Sequence, residues 1–170
     1  HFKILMELSV ANPLDPLVKI KYTIDALFGT GVSKTLPKSV EFTFSRKNGR
    51  IREVYHDKKL LCTLRIDGGL AISTHFAQIM LKNKKFKQNC IEIDDDSEPF
   101  VRNGKSVFCN HVTWAGKNIQ IGADVPVVYK KQVIAVGRAI VNSQMMMDMK
   151  RGVAVKVRDS LKNSLEQNNL

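Results

Sequence analysis

The sequence is short of cysteine, of aromatic residues and of acids, and it has no long apolar run. Each shortage excludes something. The three cysteines, Cys62, Cys90 and Cys109, are widely spaced and form no Cys-x-x-Cys pair. That disfavours a zinc finger or ribbon, which is built on such pairs. Three reduced, buried thiols in a cytoplasmic protein is the plain expectation. The four histidines, His1, His56, His75 and His111, show no metal-ligand spacing, so no metal is expected. No stretch approaches the ~18–20 consecutive apolar residues that span a bilayer, and no membrane association is expected. Residues 1–10 are too short and too mixed for a signal peptide. Acids are the sharpest shortage: 16 Asp+Glu face 27 Lys+Arg, a net charge of +11. That excess raises the odds of a polyanionic partner.

What is present is ordinary for a globular protein. The 170 residues are 44% hydrophobic and 25% charged. A chain of this length can bury a core without disulfides or metals. The charge is uneven: residues 1–98 balance at +4, while the shorter stretch 99–170 balances at +7.

The spacing predicts a helix opened by Asp15-Pro16, an N-cap followed by proline at the first helical position. Leu17, Ile20, Ile24, Leu27 and Phe28 follow at helical intervals, and Gly29 and Gly31 stop the helix. The period then changes to two. Val40, Phe42 and Phe44 alternate with polar residues, and Asn48-Gly49 is a hairpin signal. Ile51, Val54 and Tyr55 lead to a turn at His56-Asp57-Lys58, with a further strand over 60–66 and a turn at Asp67-Gly68-Gly69. A helix is expected over 74–81. The second half predicts short strands over 90–93, 106–112, 124–129, 132–141 and 153–157, with one helical turn at 97–103. Ser143 is the expected cap of a helix over 145–150. Turns at Gly116, Gly122 and Lys130-Lys131 space the strands as in a small barrel. The fold class is α+β: a small N-terminal α+β domain (1–89), then a pseudo-barrel of five to six strands with short helices (90–158). A polar tail (159–170) completes the chain as a frayed helix or disorder.

Several motifs fall short of chemistry. Gly104-Lys105-Ser106 ends like a phosphate-binding P-loop, but Pro99 stands where the first glycine is needed. Gly29-Thr30-Gly31 lacks a third glycine, with Lys34 in its place. No cofactor is expected. Asp94-Asp95-Asp96 reads as a solvated turn rather than a cation site. Cys109 and His111, two apart on an expected strand, would share a face and could pair for nucleophilic catalysis. Met145, Met146, Met147 and Met149 cannot all face one way. One or two fill the core, and the others are available as a contact surface.

The basic motifs weigh more. Lys150-Arg151-Gly152 enters the last strand, where Lys156 and Arg158 lie two apart on one face. Arg102 and Lys105 flank Gly104 before Ser106. If that strand lies beside this loop, up to six cations and several N–H groups converge, as phosphate binding requires. Phe108 and Trp114 are expected in the core.

The segment Pro99-Phe100-Val101-Arg102-Asn103-Gly104-Lys105-Ser106-Val107-Phe108 resembles the opening helix, glycine loop and strand of a PUA domain. Residues 121–128 (IGADVPVV), 134–139 (IAVGRA) and 146–157, with Lys150-Arg151-Gly152-Val153-Ala154-Val155, resemble its later strands. One departure is Ala123 before Asp124, where the family more often has Asp directly after the Gly. Leu27-Phe28-Gly29-Thr30-Gly31, residues 45–52 (SRKNGRIR) and residues 63–70 (TLRIDGGL) resemble the region before the PUA domain in archaeal tRNA-guanine transglycosylases and archaeosine synthases. The resemblance spans about residues 22–158. It implies the accessory, tRNA-binding part of such enzymes. Their catalytic barrel needs roughly 200 residues or more.

The resemblance implies an RNA-binding role without catalysis by this chain, in the archaeosine branch of tRNA modification. The RNA would be structured, most simply a tRNA held at its acceptor stem or duplex end. Site residues implied are Arg102, Gly104, Lys105, Ser106, Val107, Phe108, Lys150, Arg151, Gly152, Val153, Ala154, Lys156 and Arg158. A groove with few aromatics suits an A-form duplex better than a single strand. A separately encoded catalytic subunit is the implied protein partner. The alternatives are an RNA- and protein-binding adaptor in translation or ribosome assembly, and a stand-alone tRNA-modifying enzyme using Cys109 and His111.

Overall fold

The computed structural model describes residues 15–168. The signal-peptide question, posed on residues 1–10, lies outside them. Helix α1 (Pro16–Phe28) is the expected one. Asp15 Oδ1 accepts from the N–H groups of Leu17 at 3.0 Å and Val18 at 3.4 Å. Two donors left free by the first turn are thereby satisfied. Ile20, Ile24 and Phe28 form its buried stripe, and the chain leaves at Gly29.

Strands β1 (Glu41–Phe44), β2 (Ile51–His56), β3 (Lys59–Leu64) and β4 (Leu70–Ile72) make an antiparallel sheet in chain order. The expected alternation in β1 fails at one end. A bulge between Thr43 and Phe44 breaks the register, and Phe44 is left half exposed. Helix α2 (Thr74–Met80) follows, capped by Ser73, whose Oγ accepts from Phe76 N at 3.0 Å.

The second sheet holds β5 (Ile91–Ile93), β6 (Val107–Phe108), β7 (Val112–Ala115), β8 (Asp124–Tyr129), β9 (Gln132–Ala139) and β10 (Val153–Ser160). Their order is β6-β10-β9-β8-β5-β7, antiparallel except for β5 beside β8. Short helix α3 (Glu98–Arg102) packs against β9 and β10, α4 (Ser143–Asp148) packs against β7, and α5 (Leu161–Asn168) closes the described chain. The result is a nearly closed, barrel-like sheet.

Three sequence expectations are corrected here. The strand expected over 106–112 is interrupted after Phe108 by a 3₁₀ turn, Cys109–His111. The cap of α4 is Asn142 rather than Ser143: its Oδ1 accepts from Met145 N at 2.9 Å. Strand β10 continues three residues past Val157, to Ser160, and the next residues form α5.

Two cores share the middle strands. Val125, Val127, Ile134, Ala135 and Ala139 point into the barrel with Val107, Met146, Ala154 and Val155. Val128, Val133 and Val136 point the other way, into the core of α1, α2 and the first sheet. Strands β8 and β9 are covered on both faces, and for that reason read as near-continuous apolar runs.

Candidate nucleic-acid interface

The glycine loop is built by the end of α3. Gly104 takes φ +91°, and its N–H reaches Val101 O at 2.9 Å while Lys105 N–H reaches Phe100 O at 3.0 Å. This left-handed stop favours glycine, since a side chain is strained there. The chain then turns into β6, which pairs with β10: Phe108 lies opposite Val153 and Val107 opposite Val155. Cys109 N–H closes the far end on Gly152 O at 2.9 Å. The geometry anticipated from the basic motifs is therefore present, with the loop and the last strand side by side. Strand β6 is an edge of this sheet, so among the described residues one side of its backbone has no strand partner.

The cations divide into two groups. Lys105, Lys150, Arg151 and Lys156 are exposed and have no carboxylate within ion-pair distance among the described residues. Arg102 and Arg158 differ. Arg102 is paired with Glu98 one helical turn back, and also reaches Gln132 Oε1 at 3.5 Å. Arg158 donates to Asp124 Oδ2 and to Ile72 O, each at 2.7 Å. Of the up to six cations expected to converge, four have no ion-pair partner among the described residues.

Val107 and Ala154 are fully buried, so their side chains shape the edge from behind. Ser106 and Val153 are half-buried, and Gly152 turns the chain at φ +96°. Phe108 corrects an expectation: it is 50% exposed, on the open side of β6, and Phe100 on α3 is also exposed. The signal was in the alternation, since Val107 inward sends Phe108 outward. Met146 fills the core, while Met145, Met147 and Met149 are partly exposed beside this edge. Trp114 is half-buried, with Lys87 Nζ 5.0 Å from its ring centroid.

Asp124 is the polar residue that sequence reasoning passed over. Its buried carboxylate accepts from Ile72 N at 2.8 Å, from Arg158 at 2.7 Å and from Arg65 at 3.4 Å. Burial pushes this carboxyl above its ordinary range, opposed by Arg158, the Ile72 N–H and Arg65. Thr74 N and Oγ1 both donate to Asp159 Oδ2 at 2.8 Å, and Val133 N donates to Gln78 Oε1 at 2.7 Å. Apart from the Arg158–Asp124 pair, which lies within the barrel, these bonds join the first sheet and α2 to the barrel. Their partners are 52 to 85 residues apart, beyond any local pattern.

The nucleophile pair is not assembled. Cys109 is buried in the 3₁₀ turn, and His111 Nδ1 is engaged with Asp94 Oδ2 at 2.8 Å. Burial raises the Cys109 thiol, and it pushes Cys62 up to about 12. Neither supplies a thiolate at neutral pH.

Comparison with known proteins matches this geometry in two pieces. The family model for the PUA domain matches residues 89–161. The model described as "patch-forming domain C2 of tRNA-guanine transglycosylase" matches residues 19–86. In this order the chain resembles a C2 domain followed by a PUA domain. Over 152 residues it is 32% identical to the tRNA-guanine(15) transglycosylase of Methanothermobacter thermautotrophicus, covering 88% of this chain and 23% of that one. The same enzyme of Thermococcus kodakarensis is 33% identical over 133 residues, 77% of this chain and 23% of its own. The chain therefore spans about a quarter of the length of these curated relatives. A hypothetical protein from Pyrococcus horikoshii OT3 has the same fold at 19% identity, with a TM-score of 0.69 over 91% of this chain and 95% of that one. A PUA domain protein from Thermoplasma acidophilum follows at 21% identity and TM-score 0.59, over 87% and 95%.

Proposed function

We propose that this C2–PUA unit binds structured RNA, most simply a tRNA at its acceptor stem or duplex end. It acts as a non-catalytic accessory module in tRNA modification, in the archaeosine branch. The observation that carries the reading is the β6–β10 edge. Four cations without carboxylate partners among the described residues, and an exposed Phe108, surround a short edge strand with a glycine turn at each end. Lysines and edge N–H groups hold phosphates, and a flat ring beside them accepts a terminal base pair. Similarity to curated transglycosylases over most of this chain, across both matched stretches, supports the pathway assignment. It also supports a catalytic partner that carries the base-exchange chemistry, in the same polypeptide or a separate one.

Fluorescence anisotropy with a labelled tRNA acceptor-stem duplex tests this. Binding is expected to weaken several-fold when the duplex end is capped by a stable tetraloop. Equal affinity for capped and open ends would move the RNA away from Phe108. The exposed Met145, Met147 and Met149 favour a second use of the same side, as an adaptor's protein-contact surface. Substituting all three with Gln should then leave RNA affinity unchanged while abolishing capture of the protein partner.

A further inference from the structure

A second group of cations lies where the two domains meet. Residues 81–89 connect α2 to β5 and include Lys82, Lys84, Lys85 and Lys87. This connection is held against two other loops. Lys85 Nζ donates to Thr30 O at 3.0 Å, and Asn83 Nδ2 to Gly31 O at 3.4 Å. These bonds place the connection beside Lys34, in the 3₁₀ turn Val32–Thr35. On its other side Asn118 N reaches Gln88 O at 3.0 Å and Lys117 N reaches Gln88 Oε1 at 3.2 Å. The approach at Gly116 is so close that a Cβ there would lie 2.2 Å from Gln88 O. Lys34, Lys82, Lys84, Lys85, Lys87 and Lys117 are all exposed. Among the described residues only Lys87 has an ion-pair partner, Glu92 at 3.2 Å.

This group continues the β6–β10 edge. From Cys109, bonded to Gly152, a 3₁₀ turn and strand β7 lead directly to Gly116 and Lys117. Because the 3₁₀ turn bends it, that path spans at most about 20 Å, at roughly 2 Å per 3₁₀ residue and 3.3 Å per strand residue. Helix α4, which leads to Lys150 and Arg151, packs against β7 along it. The half-buried Trp114 sits on β7, with Lys87 over its ring.

We infer that the lysines gathered by loops 29–35, 81–89 and 116–118 form a second phosphate-binding surface, which engages the same RNA within about 20 Å of the β6–β10 edge. It holds the duplex flank while the edge holds its end. The inference rests on the RNA-binding reading, and RNA length separates the two. A hairpin of about five base pairs held at its end leaves little flank for the second surface, whereas a duplex of about 20 base pairs offers both an end and a long flank.

The variant Lys82→Ala/Lys84→Ala/Lys117→Ala removes three exposed side chains outside both cores, so circular dichroism and melting should match the parent. It should weaken the long duplex about tenfold or more and reduce its log–log salt slope by roughly 2 to 3, with the short hairpin unchanged. An unchanged long duplex, or equal loss for both RNAs, would overturn the second surface. If Lys150→Ala/Arg151→Ala leaves the short hairpin unaffected, the edge reading itself fails and this inference falls with it.

Discussion

The two ends of strand β10 carry cations put to opposite uses. Before the strand, Lys150 and Arg151 are exposed and meet no carboxylate among the described residues. Within its last half, Arg158 is bound to Asp124 and to the Ile72 carbonyl, each at 2.7 Å. One end is available to an external anion, and the other neutralises a buried one belonging to the protein. Net charge counts both alike. Geometry separates them: an arginine fork meets a desolvated carboxylate at the junction, and compact lysines dominate the solvent-facing edge. Arg102 falls on the arginine side, paired with Glu98.

The strongest way to break this contrast is at Asp124. Replacing it with Ala leaves Ile72 N–H and two guanidinium groups without their acceptor. Loss of one partner from a buried ionic cluster costs about 3 kcal/mol or more, read as a lower urea midpoint. Asp148→Ala, at an exposed site, should shift stability by less than about 0.5 kcal/mol. The converse change is Lys150→Ala/Arg151→Ala. It should leave stability within about 0.5 kcal/mol and weaken RNA binding tenfold or more in anisotropy titrations.

Phe108→Ala sharpens the picture of the edge. If the ring stacks on a terminal base, affinity falls by about 1–3 kcal/mol equivalent with little change in melting temperature. An unchanged affinity would leave phosphate contacts as the whole interaction.

The smallest effect concerns pH. Burial acts to raise the Asp94 carboxyl, but hydrogen bonds from His111 and Ser97 bring it below its ordinary 3.8. A carboxyl depressed in the folded state adds stability above its unfolded value and loses it as pH falls through the folded one. Stability should therefore decline on acidification below about pH 4 through this group. Asp94→Asn should flatten that limb by under about 1 kcal/mol, because the pair is partly exposed.

Local features were the legible part of the fold. The Asp15-Pro16 cap, the Asn48-Gly49 turn and the positive-φ pair Asp57-Lys58 are set by nearest neighbours, and the structure has them. The strand expected over 106–112 failed because the barrel turns a corner at Cys109–His111, which hydrophobic alternation does not encode. Phe108 was misplaced for a related reason: an aromatic residue in an apolar run reads as core unless its neighbour's direction is known. The apolar runs of β8 and β9 implied burial on both faces, but not that the other cover was the first domain. In the candidate site, the glycine loop and the Lys150–Gly152 turn were readable from residue type. The pairing of Arg158 was not, because Asp124 lies 34 residues away.

The salt dependence of RNA binding tests the central claim most directly. Four cations at the edge that are unpaired among the described residues, with further lysines at the second surface, require a log–log slope of about −3 or steeper for a long duplex. The slope should become shallower by roughly 2 in Lys150→Ala/Arg151→Ala and stay the same in folded Arg158→Ala. A flat response in the parent, or a larger loss of slope from Arg158 than from Lys150 and Arg151, would contradict it.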